Sequence, residues 1–270
     1  MIGLILAAGL SGTSAATPAN IEAVLATAPA GSTIVLSAGT YPRITIYNLA
    51  PGAPVTIDAR AAKIGVIAFS NASNWTVQNG DIGAGAKYVA VQVIGSDHLA
   101  FKDNNIHDYG TAGITTLDSH DITISGNTFA RSGGDGVDLV STQGVVETGN
   151  TCQELTYTAD VHSDCTQMWN KPGDPQIVSN VLISGNRASG HMQGWDNFGA
   201  GDPRPMENVI ITDNVISTDM TWAGNLSNCR HCKMKGNSAH TLPGMHPGWR
   251  PPSWVLNDDE PGGNVKGERP

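Results

Sequence analysis

From Trp75 to Met234 one short hydrophobic pattern recurs. Two apolar positions flank a third residue in Trp75-Thr76-Val77, Leu99-Ala100-Phe101, Ile122-Thr123-Ile124, Val181-Leu182-Ile183, Val209-Ile210-Ile211 and Cys232-Lys233-Met234. Val145-Val146-Glu147 keeps the pattern except at its last member. Three residues after each segment come Gly80, then Asn104, Asn127, Asn150, Asn186, Asn214 and Asn237. Two residues further on stand Ile82, Ile106, Phe129, Cys152, Ala188, Ile216 and Ala239. The alternation has period two, so these segments predict strands. Asparagine suits the turn between them, because it tolerates left-handed backbone and bonds locally through its amide.

The asparagines are spaced 23, 23, 36, 28 and 23 residues apart. A coil of this length, repeated through most of the chain, predicts an all-β, single-stranded parallel β-helix over 17–240. Asn104, Asn127 and Asn150 should then stack at one corner. Ile106, Ile124, Phe129, Ile183, Ile211 and Ile216 should point inward. The rung from Asn150 to Asn186 carries 13 extra residues and the next carries 5. Insertions in such a stack fall in loops on one face, often the binding face.

The ends depart from the repeat. Thr17-Pro18 predicts the start of a short capping helix, whose Ile21, Val24, Leu25 and Ala28 share an apolar face. Residues 1–16 hold an apolar leader ending in Ser14-Ala15-Ala16, the outline of a signal peptide without a basic start. Residues 241–270 contain six prolines together with Trp249 and Trp254, and predict an irregular tail.

Composition narrows the function. A net charge of −9 excludes the basic footprint that nucleic-acid binding needs. It leaves room for an acidic sugar polymer held by local cations. No stretch is long and apolar enough to span a membrane. The four cysteines, Cys152, Cys165, Cys229 and Cys232, allow two disulfides or buried thiols, and one Cys-x-x-Cys alone does not predict a zinc site.

Chemistry-bearing residues concentrate between Gly134 and Gly194. Repeat register brings Asp135 and Asp164 to equivalent points on neighbouring rungs, ~4.8 Å apart. Two carboxylates so close cannot both ionise easily, so either one holds a proton or a cation bridges them. His162 and His191 are the proton-transfer candidates. Asp138, Gln167 and Gln193 should line the same region, with Asp160 in the insertion as a possible further carboxyl. Tyr157, Trp169 and Trp195 are candidates to stack on sugar rings. Lys171 and Arg204, with Arg131, could neutralise a uronate carboxylate. No side chain is assigned as a metal ligand, and the cofactor expectation is open, with a divalent cation such as calcium as the candidate.

The segment from Asn20 to Tyr41, a helix followed by Gly31-Ser32-Thr33-Ile34-Val35-Leu36-Ser37-Ala38-Gly39-Thr40-Tyr41, resembles the N-terminal cap of the pectate-lyase-like right-handed parallel β-helix superfamily. That superfamily includes polysaccharide lyases, polygalacturonases, uronate epimerases and phage tailspikes. A fainter resemblance is to polygalacturonases: Asp135-Gly136, Asp164-Cys165 and Gly190-His191 are similar to parts of three of their motifs. Ser163 and Met192 depart from those motifs, and the Arg-x-Lys motif has no counterpart. The resemblance implies a carbohydrate-active protein that binds and cleaves an acidic polysaccharide as a lyase or hydrolase. The alternative is a phage spike or fibre protein of the virion that binds host glycan. The first implies a secreted monomer, the second a homotrimer.

Overall fold

The computed structural model describes residues 12–156, 162–197, 202–243 and 250–258. Tyr157, Asp160, Trp249 and the apolar leader up to residue 11 lie outside the described residues. Among the described residues there are 26 strands and one helix, Ile21–Ala26. The strand pairs are parallel, and each strand pairs with its equivalent one turn of chain away. Thus Asn105–His107, Ala112–Leu117 and His120–Ser125 lie on Thr128–Ser132, Asp135–Val140 and Gln143–Thr148. Three short strands per turn of chain make the rung of a β-helix.

Sequence alternation decides what fills it. Trp75, Leu99, Ile122, Val145, Val181 and Val209 stand in one register column. All six are buried, as are Ile106, Ile124, Phe129, Ile183, Ile211 and Ile216. Side chains on alternate positions of a strand face opposite sides, so an inward column stacks on itself rung after rung.

The asparagine corner is a hydrogen-bonded ladder. Asn104 Nδ2 donates to Asn127 Oδ1, Asn127 to Asn150, Asn150 to Asn186, Asn186 to Asn214 and Asn214 to Asn237, each at 3.0–3.1 Å. Each amide also donates to a backbone carbonyl of its own corner, such as Val77, Phe101 and Ile124. The buried side chains are therefore fully satisfied.

Glu147 occupies an inward position between Ile124 and Ile183. It is fully buried and accepts from Thr166 Oγ1 at 2.9 and 3.0 Å. Burial raises its pKa to about 8, so it sits in the core as a neutral acid.

The ends differ from expectation. The helix begins at Ile21, not at Thr17, because Thr17 N–H and Oγ1 both bond Asn20 Oδ1 and hold residues 17–20 in a turn. Ile21 and Leu25 close one end of the core. Thr13–Ala16, within the expected leader, is a strand paired with Thr33–Leu36, and Ala16 is buried. In the expected irregular tail, Ser253–Asp258 adds a strand to Trp222–Arg230. The cysteines form two disulfides, Cys152–Cys165 and Cys229–Cys232.

Candidate active site

The site grows from the strand Asp164–Trp169, which lies between Asp135–Val140 and Gln193–Asn197. Eight residues, 156–163, lead into this strand, where the preceding rung uses two. Nine residues, 170–178, lead out of it, again against two. The longer rung is thus expanded at both ends of one strand. The extra residues of the next rung all follow Gln193–Asn197.

Asp135 and Asp164 meet at the entry corner. The Asp164 backbone N–H donates to Asp135 Oδ1 at 2.7 Å. Asp164 Oδ2 accepts from Gln167 Nε2 at 3.0 Å and faces His162 Nδ1 at 3.2 Å. One ligand atom each of Asp135, His162 and Asp164 lies within 4.8 Å of the others. A second column runs Thr115, Asp138, Gln167, Asp196, Asn225 across five rungs. Four aspartates therefore crowd three adjacent rungs. Asp196 escaped the sequence reading, although Asp138 and Gln167 already marked its column.

Burial dominates the electrostatics. It pushes the Asp135 carboxyl up to about 10, helped by the charges of Asp138 and Asp164, so Asp135 is neutral at pH 7. Asp138, which hydrogen-bonds Asp135, is raised to about 6, mainly by burial. Asp164 and Asp196 are raised for the same reason. His162 is raised as well, but for a different reason: the bond to Asp164 holds it above its ordinary 6.5. The result is a neutral acid beside a histidine–carboxylate pair.

His191 stands at the equivalent corner one rung along, since Asp164 pairs with Gln193 and Gln193 N–H bonds Ser163 O. Its Nδ1 lies 2.8 Å from Asp219 Oδ1. Ser163 is buried and donates to Thr156 O, so it supplies no acid.

The expected substrate contacts divide. Gln167 and Gln193 lie beside the aspartates, and Gln193 is buried. Trp169 is half-buried at the far end of the strand, ~16 Å from Asp164 by strand rise. Trp195 is a correction. It is fully buried and stacks on Trp254 at 5.7 Å, so no sugar reaches it. Its column contains Val91, Ile114, Val137 and Thr166, all inward positions. Lys171 and Arg204 both lie at the exit corner, where Arg204 bonds Asp202 and Lys171 O, and Lys171 Nζ is 4.0 Å from Asp174. Arg131 is held by Asp108.

The donor set also bears on a metal. Asp138 Oδ1, Asp164 Oδ1, both oxygens of Asp196 and Gln193 Oε1 are buried without a hydrogen-bond partner. Buried acceptors left without donors are costly. At this corner the ligand atoms that come within 4.8 Å of one another are those of Asp135, His162 and Asp164.

The family model described as "Right handed beta helix region" matches residues 60–216, more than half of the chain. The chain belongs to this right-handed β-helix family. None of the curated protein sequences matches it. Among solved structures this β-helix is similar to the A-module of mannuronan C-5 epimerase from Azotobacter vinelandii. There the TM-score is 0.52 at 16% identity, covering 82% of this chain and 70% of that one. A DFA-IIIase from Arthrobacter chlorophenolicus without its lid gives 0.51 at 14%, covering 85% and 60%. The tailspike of E. coli bacteriophage HK620 gives 0.53 at 12%, covering 88% and 55%. The chain thus spans little more than half of the last two. At these identities the likeness is one of fold.

Proposed function

We propose that this β-helix protein binds an acidic polysaccharide and cleaves it by elimination at a uronate residue. The observation that carries this is the neutral Asp135 held against the His162–Asp164 pair within 4.8 Å. The histidine favours proton abstraction over attack by water: His162 Nδ1 lies 3.2 Å from Asp164 Oδ2, a pairing suited to a general base, whereas glycoside hydrolysis relies on two carboxyl groups.

The chemistry follows from the residues. Asp164 Oδ2 accepts from His162 Nδ1–H and orients the ring, and the imidazole takes the proton α to the uronate carboxylate. The electron pair forms the C4=C5 double bond as the C4–O bond breaks, and the leaving oxygen takes a proton from water. Neutral Asp135 adds no repulsion toward the substrate carboxylate or the enediolate as it forms. A divalent cation such as calcium, bound among the buried carboxyl oxygens, would neutralise further carboxylate charge.

Two disulfides suit an oxidising compartment and support secretion of the enzyme, read here as a monomer. Among the described residues no helix is long and apolar enough to cross a membrane. The fold likeness to a tailspike supports a second reading, a glycan-binding virion protein, which light scattering tests through a homotrimer. The first reading is tested on a panel of polyuronates, scored for the absorbance of an unsaturated uronate end. Reducing ends without that absorbance would mean hydrolysis instead.

A further inference from the structure

An open pocket of about 260 Å³ is lined by Arg43, Val66, Lys87, Tyr88, Val89 and Gln92. Its position relative to the aspartates is fixed by register. Gln92 pairs with Thr115, and Thr115 with Asp138, so the pocket floor lies two rungs from Asp138 in the same outward column. Val89 pairs with Ala112, which pairs with Asp135. Two rungs are ~10 Å. Pocket and aspartates therefore belong to one face of the β-helix and lie along its axis.

The lining differs in sign from the rest of the molecule. The chain carries 24 acidic against 15 basic side chains. Yet the pocket brings two cations together, and neither Arg43 nor Lys87 forms an ion pair with a described carboxylate. Arg43 Nε donates only to Thr45 Oγ1, at 3.2 Å. Lys87 Nζ sits 5.1 Å from the centre of the Tyr88 ring, and Tyr88 is 60% exposed. An exposed aromatic ring with two unneutralised cations beside it suits a flat, weakly polar ring face that carries a negative charge.

We infer that Arg43, Lys87 and Tyr88 form a subsite for an anionic sugar residue of the same glycan, three to five rungs from the His162–Asp164 pair. The inference deepens the proposed function and rests on its acidic-glycan reading. It fixes the direction of the bound chain, which runs along the β-helix axis from the aspartates toward the N-terminal rungs. Tyr88 stacks on the sugar ring. Arg43 and Lys87 take its carboxylate, with Gln92 beneath. Short oligomers at the aspartates fail to reach this pocket, and longer ones gain from it.

The test is calorimetric titration of the Asp164→Asn protein, once its turnover of each probe has been checked to be negligible over the titration. The probes are mannuronate and galacturonate disaccharides and hexasaccharides, with a neutral xylose hexasaccharide as control. A uronate hexasaccharide should bind more tightly than its disaccharide. Arg43→Gln with Lys87→Gln should erase about tenfold or more of that gain, as loss of charge-assisted bonds implies. Tyr88→Ala should reduce it as well, and added salt should weaken it. These exposed side chains lie outside the core, and circular dichroism checks that the variants fold. Tight uronate binding that is unchanged in the double variant overturns the subsite alone. Failure of every uronate probe to bind overturns the subsite together with the acidic-glycan reading.

Discussion

The backbone N–H of Asp164 donates to Asp135 Oδ1 across 2.7 Å. This bond joins two adjacent rungs at the corner where His162 also lies. It holds a protonated carboxyl beside a carboxylate that serves a histidine. The two aspartates therefore have different roles, and their amide variants should behave differently. Asn at position 135 can still accept from Asp164 N–H and donate toward Asp138. Asp135→Asn should keep activity within about tenfold of the parent, whereas loss of a true acid–base group costs about 10²–10⁴. A fall of that larger size in Asp135→Asn, with the fold intact, would mean that Asp135 works as an ionised group.

The rate should depend on pH with two limbs. His162 must be neutral to take a proton, and its pKa lies above 6.5 because of Asp164. Asp135 must be neutral so as not to repel the substrate carboxylate, and its pKa is about 10. Activity should rise as pH passes through the histidine value and fall as it approaches 10. In Asp135→Asn the alkaline fall should disappear. A profile of kcat/KM in the parent and the variant checks both limbs, and an acidic optimum would contradict the assignment.

Glu147 makes stability depend on pH. Its pKa in the fold is about 8, above the ordinary 4.5, because burial disfavours its charge. The folded chain therefore binds the extra proton, and stability falls as pH rises from about 4.5 to about 8. Asp135 contributes in the same direction up to about 10. Glu147→Gln keeps an acceptor for Thr166 and removes the titration. Its Tm should decline less steeply across that window, as followed by thermal melts at a series of pH values.

Much of this molecule could be read from period and register. The asparagine spacing placed the ladder, and equal spacing placed Asp135 against Asp164. Trp195 was misread because an indole in a polar stretch looks like a sugar platform. Its inward column with Val137 and Thr166 was nonetheless present in the chain. Lys171 and Arg204 looked like substrate cations, yet Asp174 and Asp202 stand within three residues of them and claim them. The strand Ser253–Asp258 was hidden among prolines, because its register depends on contact with Trp222–Arg230 and not on the repeat. The pocket at Arg43 and Lys87 was hidden for a similar reason. Its residues come from three different rungs, outside the stretch where the acids draw attention.

The ladder should carry much of the stability. Asn150 accepts from the backbone and the amide of Asn127, and donates to Ile124 O and Asn186 Oδ1. Asn150→Ala leaves several of these buried partners unsatisfied. The cost should be about 3–5 kcal/mol, comparable to Phe129→Ala in the core. Urea denaturation of the two variants measures both. A loss near zero for Asn150→Ala would mean that water or a shifted backbone replaces the ladder.

The most direct measurement is turnover of polyuronates by the parent and by Asp164→Asn, followed through the absorbance of the unsaturated product. Asn keeps the shape of Asp164 and its backbone bond to Asp135, but no longer supports the charge on His162. The account predicts an unsaturated uronate from the parent and a loss of about 10²-fold or more in the variant, with an unchanged circular dichroism spectrum. Full activity in Asp164→Asn, or cleavage by the parent without an unsaturated product, would contradict it.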